Sequence, residues 1–348
     1  MSNETKLVIG MPAGSLANPE RGGNLVHLLK AAGFPSRGYQ DGGPTSFPWH
    51  TMLMGWDGRP QEFGAQLALD EIDVAFAGDD WIRERQLEFQ YEYKREIPLE
   101  RIQGLGRGSV RIVVICNPFH GGFDAWMEQL LKTKPLITMI SEMPYLAVDW
   151  FLKKAASLGH GDTHNQYAVQ KYKTPPRIER GVVVYESWGK TEAKVVHHGV
   201  DLGVEITQSG SAIRNYGLAI GEEIMHSETA IWASPGMKQN AEKHELARML
   251  LLNLYGAIFA ENKVLMFFNA KKDDSEAVLK YLGDNNLFAD EPTMNQGPNY
   301  TEFSVQMDTR DPKLPIAKVR YELARLGATH IETVPLDSCI PGIGAVDF

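Results

Sequence analysis

The sequence predicts an α/β protein with two open lobes, a cleft between them and a separate C-terminal domain. Two observations lead to this prediction. Apolar strand-like runs alternate with amphipathic helical stretches from Leu7 to Thr207, which is typical of parallel sheets with helices on their faces. Beyond Met237 the rhythm changes to βαββαβ, the split-βαβ pattern of ferredoxin-like domains.

The elements of the two lobes follow in order. A strand at 7–11 breaks at a Pro-Ala-Gly-Ser turn and leads into a helix at 24–32, a strand–turn–helix opening. Residues 35–58 are rich in Gly, Pro and aromatics, so we predict a long loop, and we predict a polar connector at 159–180. The other predicted strands are 72–77, 110–116, 136–141, 181–187 and 201–207, and the other helices are 60–69, 124–132, 145–158 and one starting at Trp81.

The C-terminal part begins with a long amphipathic helix over 238–260. The pattern then predicts strands at 264–269, 292–295, 301–307 and 330–336, with helices at 275–282 and 315–326. The predicted domains are a first lobe (1–109 with 219–238), a second lobe (110–218) and a third domain (239–348). Ligands are expected at the carboxyl ends of the strands, next to the cleft.

Composition excludes several classes of protein. Apolar and charged residues make up 43% and 23% of the chain, which is the globular average and excludes disorder. A net charge of −9 without a basic run argues against nucleic acid or a membrane as partner. The first residues lack a signal peptide pattern, so we expect a cytoplasmic protein. The two cysteines, Cys116 and Cys339, lie in apolar surroundings without CxxC spacing, and we expect buried thiols.

The most informative stretch is 199–217, GVDLGVEITQSGSAIRNYG. Asp201 and Glu205 fall on one face of a strand because strand side chains alternate. The loop Thr207–Ser211 follows directly, and its backbone amides are suited to holding a phosphate. Carboxylates that accept hydrogen bonds from ribose hydroxyls beside such a loop fit a sugar phosphate. The alternative is a polar strand edge followed by an ordinary glycine turn.

Other candidate residues carry weaker signals. Arg59 opens a helix and is suited to pairing with phosphate, although an arginine exposed on a helix without a ligand is the commoner case. Glu192 follows a strand, and the aromatic cluster of Phe47, Trp49 and Trp56 could stack on a base or pack on itself. The ten histidines show no metal-ligand spacing, so we expect no protein-bound metal.

Taken together, these segments resemble the ATP phosphoribosyltransferase family in its long form. The motifs that carry the resemblance are MPAGSL, RPQEFGAQLALDEIDVAFAGDDWI, SEMPYL, WGKTEAK and VDLGVEITQSGSAIRNYGLAI. They occur in the family's order over nearly the whole chain. The resemblance implies two periplasmic-binding-protein-like lobes and an ACT-like regulatory domain formed by the βαββαβ tail.

The resemblance implies that N1 of ATP attacks C1′ of phosphoribosyl diphosphate, releasing pyrophosphate, with Mg²⁺ carried by the diphosphate. Histidine would inhibit through the tail domain, within a homo-hexamer or a dimer. The implied catalytic residues are Glu192, Asp201 and Glu205. The implied donor-binding residues are Glu205, Thr207, Gln208, Ser209, Gly210, Ser211 and Ala212. The implied nucleotide-binding residues are Gly14, Ser15, Leu16, Arg59, Asp79 and Pro144.

The chain departs from the family pattern at two notable positions. Ala13 stands where the family usually has lysine, and Ala212 stands where it usually has a hydroxyl residue. Two alternatives therefore stay open. One is a paralogue that phosphoribosylates another acceptor, and the other is a ligand sensor without catalysis, because solute-binding proteins also have two α/β lobes.

Overall fold

A computed structural model of the protein describes residues 5–13, 24–39, 45–47, 53–288, 290–291 and 293–348, without the side chains of 53–57. The chain divides into two compact units, Met1–Val26 with Ser36–Ala247, and His27–Pro35 with Arg248–Phe348. The predicted start of the third domain at residue 239 stays a prediction. The boundaries of the two predicted lobes stay a prediction, since the boundary at 109/110 falls inside a single strand, Glu100–Cys116.

The described residues form helices and strands that follow one another along the chain. The strands of the first unit are β1 (Leu7–Pro12), β2 (Leu53–Gly58), β3 (Val74–Gly78), β4 (Glu100–Cys116), β5 (Leu136–Ser141), β6 (Tyr167–Lys171), β7 (Gly181–Glu186), β8 (Leu202–Thr207) and β9 (Ala219–Ala233). Those of the second are β10 (Lys263–Lys271), β11 (Thr293–Gln296), β12 (Tyr300–Asp308) and β13 (Thr329–Pro335). The helices are α1 (Leu25–Ala31), α2 (Pro60–Ala68), α3 (Asp79–Tyr93), α4 (Phe123–Thr133), α5 (Pro144–Ser157), α6 (Thr191–Val196), α7 (Ser211–Asn215), α8 (Ala241–Ala260), α9 (Ser275–Asp284) and α10 (Ile316–Arg325).

The first unit is built on a mixed sheet whose described strands run in the order β2-β1-β3-β9-β4-β8-β5-β7-β6. The strands β2, β1 and β3 pair parallel with one another, and so do β8, β5, β7 and β6. The two central strands, β9 and β4, pair antiparallel with each other, and β9 also pairs antiparallel with β3, as β4 does with β8. The α/β fold class is therefore confirmed.

Both faces of this sheet are covered around β4, β5, β7 and β8. Ile112 and Val114 of β4 pack on one face with residues of α3, α4 and α5, whereas Val113 and Ile115 pack on the other with Val195 of α6. Because both faces are buried, these strands are continuous apolar runs, which made them easy to find in the sequence.

Three strands were not predicted from the sequence. β2 and β6 lie within segments predicted to be a loop and a connector, and β9 was not identified. β4 also starts ten residues earlier than predicted, and its pairing with β9 is interrupted by shifts of register. Gly106 and Gly108 adopt φ of +61° and +63° there, a conformation that glycine tolerates and that a regular strand pattern does not reveal.

The second unit is a two-layer domain. Its described strands are in the order β11-β12-β10-β13, with antiparallel neighbours, which together with α9 and α10 is the ferredoxin-like arrangement. Alternate residues of β10 are buried, and Phe268 stacks on Phe303 of β12 with ring centroids 5.2 Å apart. Val278 and Val319 of the two helices cover this face. The predicted βαββαβ domain is confirmed.

Among the described residues, no helix combines the length and the apolar composition that are needed to cross a bilayer.

Candidate active site

The carboxyl ends of β5, β7 and β8 meet at one edge of the first unit's sheet. Ser141 at the end of β5 is in register with Glu186 of β7 and with Val204 of β8. The residues that follow these positions, Glu142 and Glu205 among them, are therefore brought to the same edge. This is the edge at which the sequence predicted a ligand site.

Three carboxylates lie within electrostatic reach of each other at this edge. Burial raises the pKa of Glu205 from its ordinary 4.5 to about 7, and the nearby Glu192 and Glu142 act in the same direction. Burial also raises the pKa of Glu142, while Lys194 lowers it and Glu192 raises it further. The cluster therefore changes its charge near neutral pH and contains one compensating ammonium group.

The turn between β7 and α6 is anchored on both sides of Trp188. The Ser187 N–H donates to the Ser141 carbonyl at 2.9 Å. Lys194 Nζ donates to the Gly189 carbonyl at 2.8 Å and also to the Ser187 hydroxyl. These contacts fix the turn beside the carboxylate cluster, and Trp188 itself is 79% exposed.

The loop after β8 orders itself through its own polar groups. Gly210 adopts φ of +71°, and its N–H donates to Thr207 Oγ1 at 2.9 Å. Ser209 Oγ donates to Ser211 Oγ at 3.0 Å, and the Arg214 guanidinium donates to the Ser209 carbonyl at 2.9 Å. Gln208, Ser209, Ser211 and Ala212 are exposed. The loop is thus held by internal hydrogen bonds, and four of its residues are exposed to solvent.

A second arginine lies beside this loop. Arg111 of β4 is in register with Thr207 of β8, and its guanidinium is 3.9 Å from the position that a Cβ of Gly210 would occupy. It also pairs with Glu223 at 3.4 Å. Two guanidinium groups, Arg111 and Arg214, therefore lie beside the exposed polar loop, a combination suited to binding a phosphate.

Asp201 does not join the cluster. It precedes β8, where its carboxylate accepts from the Thr138 N–H and hydroxyl, both at 2.9 Å, and from Lys134. The expectation that Asp201 and Glu205 form a pair beside the loop is therefore wrong. The reason is distance along the strand, since four residues of extended chain span about 13 Å.

A cavity of about 470 Å³ adjoins the same edge. Its volume lies in the range of small-molecule sites, roughly 300 to 1,000 Å³. Arg59 is the N-cap residue of α2, makes no side-chain capping hydrogen bond and is exposed at this cavity. The lining residues are Ala13, Arg59, Pro60, Gln61, Gly78, Asp80, Trp81, Gly108, Val110, Trp188, Ile206, Ser227 and Thr229.

Asp80 lines this cavity, whereas the predicted Asp79 is engaged elsewhere. The Asp79 carboxylate pairs with the Arg101 guanidinium through two contacts of 2.9 and 3.2 Å, and Arg101 also binds Glu228 at 2.6 Å. Asp80 is buried at the start of α3, where its N–H donates to Ser227 Oγ at 3.0 Å. Burial raises the pKa of Asp80.

The remaining predicted nucleotide residues are placed as follows. Gly14, Ser15 and Leu16 lie outside the described residues. Ala13 just before them is described, and its N–H donates to the Gly58 carbonyl at 3.1 Å. Pro144 is buried at the first position of α5. Of the predicted aromatic cluster, Phe47 is buried, while Trp49 and the Trp56 side chain lie outside the described residues.

Five residues of this edge and cavity were not singled out from the sequence. They are Asp80, Arg111, Glu142, Trp188 and Lys194. Asp80, Glu142 and Trp188 each follow a predicted strand within three residues, a signal that could have identified them. Arg111 reaches the site through the pairing of β4 with β8, and Lys194 reaches it from α6.

The described part of the chain contains no group of three or more His, Cys, Asp or Glu side chains that is arranged to hold a metal ion. The carboxylate cluster provides negative charge and hydrogen-bond acceptors, and the loop beside it has hydroxyls and two arginines. This arrangement fits a phosphorylated sugar whose ring becomes cationic during reaction.

Comparison with known proteins identifies the family. The family model described as HisG, ATP phosphoribosyltransferase, matches residues 59–255, more than half of the chain. ATP phosphoribosyltransferase 1 of Geobacter sulfurreducens is 27% identical, covering 96% of this chain and 99% of that protein. The ATP phosphoribosyltransferase of Trichlorobacter lovleyi is 28% identical, covering 97% and 99%.

Solved structures give a more distant likeness. The ATP phosphoribosyl transferase (HisG:HisZ) complex from Thermotoga maritima is 16% identical, covers 71% of this chain and 98% of that chain, and superposes with a TM-score of 0.48. The assignment therefore depends on the family model and its match to the described strand edge and loop. The chain belongs to the ATP phosphoribosyltransferase family.

Proposed function

We propose that this protein transfers the 5-phosphoribosyl group of phosphoribosyl diphosphate to N1 of ATP with release of pyrophosphate, the first step of histidine biosynthesis. The observation that carries the proposal is the gathering of Glu142, Glu192 and Glu205 at one strand edge, directly before the loop 207–212, in a chain of this family.

The donor would bind with its 5′-phosphate at the loop. The amides of Gln208 to Ala212 and the hydroxyls of Thr207, Ser209 and Ser211 would supply hydrogen bonds, with the Gly210 N–H and the Ser209 hydroxyl exchanging their contacts within the loop for the phosphate. Arg111 and Arg214 would supply positive charge. Glu205 accepts hydrogen bonds from the ribose hydroxyls when it is ionised. The predicted role of Asp201 is not retained, because its carboxylate is held by Thr138 and Lys134.

In the reaction, the lone pair of adenine N1 forms the new bond to C1′ while the bond from C1′ to the diphosphate oxygen breaks. The leaving pyrophosphate keeps that electron pair, and positive charge develops on the ribose ring. The carboxylates of Glu192 and Glu205 favour this charge, so the protein contributes mainly position and electrostatics. Mg²⁺ bound to the diphosphate would neutralise the leaving group.

The test of the reaction is direct. Purified protein is mixed with ATP, phosphoribosyl diphosphate, Mg²⁺ and pyrophosphatase, and the products are weighed by mass spectrometry. A phosphoribosyl-ATP mass that requires both substrates supports the proposal. Donor binding without this product would instead favour the paralogue with another acceptor, to be identified by a nucleobase screen.

We also propose that histidine inhibits through the C-terminal ferredoxin-like domain and that the protein is a homo-hexamer, with a dimer as the alternative. A chain ending at residue 261 retains α8 and lacks the four-stranded sheet. It should keep the transfer activity and lose the inhibition by histidine. Full inhibition of the shortened chain would refute this role of the domain, and sedimentation equilibrium measures the oligomeric state of the full chain.

A further inference from the structure

Trp188 combines a fixed backbone with an exposed side chain. Both of its neighbours are anchored, Ser187 to the end of β5 and Gly189 to Lys194. The indole is nevertheless 79% exposed, although tryptophan is usually among the more buried residues. An aromatic ring that is held in place and left uncovered is suited to stacking on a planar ligand.

The cavity that Trp188 lines suits a flat, partly apolar group. Val110 and Ile206 contribute aliphatic surface to the same lining, and Ile206 immediately follows Glu205 of the carboxylate cluster. Gly189 follows Trp188, and a Cβ added to this glycine would lie 3.8 Å from Glu142 Oε1. A ring stacked on Trp188 would therefore sit beside the position proposed for the donor ribose.

The polar groups of the cavity distinguish a base from a phosphate. Asp80, Ser227 and Thr229 are buried, and each contributes to the lining. A carboxyl group and two hydroxyls offer both donors and acceptors to the edge of a heterocycle, whereas a phosphate chain presents mainly acceptors. Arg59 is exposed at the same cavity and is available to an acceptor's phosphate chain.

We propose that Trp188 is the stacking platform for the purine base of the acceptor and determines its preference for purine over pyrimidine nucleotides. The inference deepens the proposed function and rests on it. Trp188 would contact the base of the acceptor, while Glu205 and the loop 207–212 hold the donor.

The experiment measures equilibrium binding to the full-length protein without turnover. The dissociation constants of ATP, CTP and phosphoribosyl diphosphate are determined separately by calorimetry for the wild type, Trp188→Ala, Trp188→Phe and Tyr93→Ala. Tyr93 at the end of α3 is also exposed, at 60%, and serves as the matched control. The chain has seven tryptophans, so the emission of Trp188 alone is obtained by subtracting the fluorescence of Trp188→Phe from that of the wild type.

Trp188→Ala should raise the dissociation constant of ATP at least about tenfold, the usual loss for one base–aromatic stack. The preference for ATP over CTP should fall with it, whereas Trp188→Phe should retain most of the affinity because it keeps a stacking ring. The affinity for phosphoribosyl diphosphate should be unchanged in all variants, and Tyr93→Ala should bind ATP normally. ATP should quench the Trp188 component of the fluorescence.

Unchanged ATP affinity in Trp188→Ala would overturn the proposal, and so would a wild type that binds no purine nucleotide. A parallel loss of ATP and donor affinity in both Trp188 variants would also overturn it, because that result indicates a structural role of the turn. ATP binding that depends on Trp188, without formation of phosphoribosyl-ATP, would refute the proposed reaction and would still support Trp188 as the platform on which the purine stacks.

Discussion

Replacing Glu205 with glutamine should stabilise the folded protein at neutral and alkaline pH while it weakens donor binding. Burial raises the pKa of this carboxyl to about 7 in the folded state, against an ordinary 4.5 when unfolded. Below pH 4.5 both states are protonated and the carboxyl carries no penalty. Between pH 4.5 and about 7 the unfolded state is ionised while the folded state keeps its proton, so stability falls as pH rises across this interval; above it the folded state buries a charge that the unfolded state exposes to water.

The size of the effect follows from the two pKa values. Each pH unit between them corresponds to 1.36 kcal/mol, so a pKa raised from 4.5 to about 7 gives about 3 kcal/mol above pH 7 as an upper limit. Glu205 is half-buried, and solvent screening lowers the expected gain to about 1 to 3 kcal/mol. Glutamine has the same shape and no charge, so the variant should avoid this cost.

Urea unfolding of the wild type and Glu205→Gln at several pH values between 4.5 and 8.5 measures the difference in free energy of unfolding. The difference should be near zero at pH 4.5 and should grow in favour of the variant up to about pH 7.5. Glu96→Gln, at an exposed position, is the matched control and should change stability by less than about 0.5 kcal/mol at any pH. A difference for Glu205→Gln that does not vary with pH would refute the reasoning.

The same variant tests the role of the carboxylate in binding. Donor binding by the wild type should strengthen as pH rises from 6 to 8, because ionised Glu205 accepts hydrogen bonds from the ribose. Glu205→Gln should bind the donor more weakly at pH 8 and should lose this pH dependence, as titration calorimetry would show. Glu205→Ala should abolish donor binding. Unchanged donor affinity in both variants would end the assignment of Glu205 to the ribose.

Three further predictions concern the donor loop and the thiols. Gly210→Ala should lose about 1 kcal/mol of stability in urea unfolding and raise KM for the donor more than KM for ATP, because φ is +71° and the new Cβ would lie 3.1 Å from Ile220 Cδ1. Equal effects on both KM values would contradict a role specific to the donor. Ala212→Thr adds a hydroxyl at the loop and should tighten donor binding by up to about tenfold, measured by calorimetry; weaker binding would contradict the proposed position of the phosphate. Iodoacetamide at pH 8 should modify Cys339, which is half-buried, and leave Cys116 intact, because burial raises the pKa of its thiol to about 12; mass spectrometry of the native protein would detect any equal labelling of the two.

The two cysteines also show how well the local sequence predicts burial. Both cysteines were expected to be buried because their neighbours are apolar, yet only Cys116 lies in a strand covered on both faces. Cys339 follows β13 and is half-buried. Apolar neighbours in the sequence predict burial well within a central strand, because other elements pack on both of its faces. They predict it poorly in an extended segment near the C-terminus, where the fold does not require such packing.

The carboxylates show the same limit at the site. Glu205 was identified correctly as a residue at the end of a strand, because the pattern of β8 is local. Its assumed companion Asp201 fits that same pattern, but the structure pairs it with Thr138 of β5. The actual neighbour, Glu142, lies 63 residues before Glu205 and reaches it only through the pairing of β5 with β8.

The sequence by itself determined the α/β class, the βαββαβ domain, most buried strands and the loop after β8. These features depend on the periodicity of apolar residues and on turn chemistry, which act over a few residues of chain. The tertiary structure alone decided the addition of β2, β6 and β9 to the sheet, the meeting of Glu142, Glu192 and Glu205, and the exposure of Trp188 at a cavity. Those outcomes depend on which strand ends become neighbours, and that is set by packing between residues far apart in the sequence.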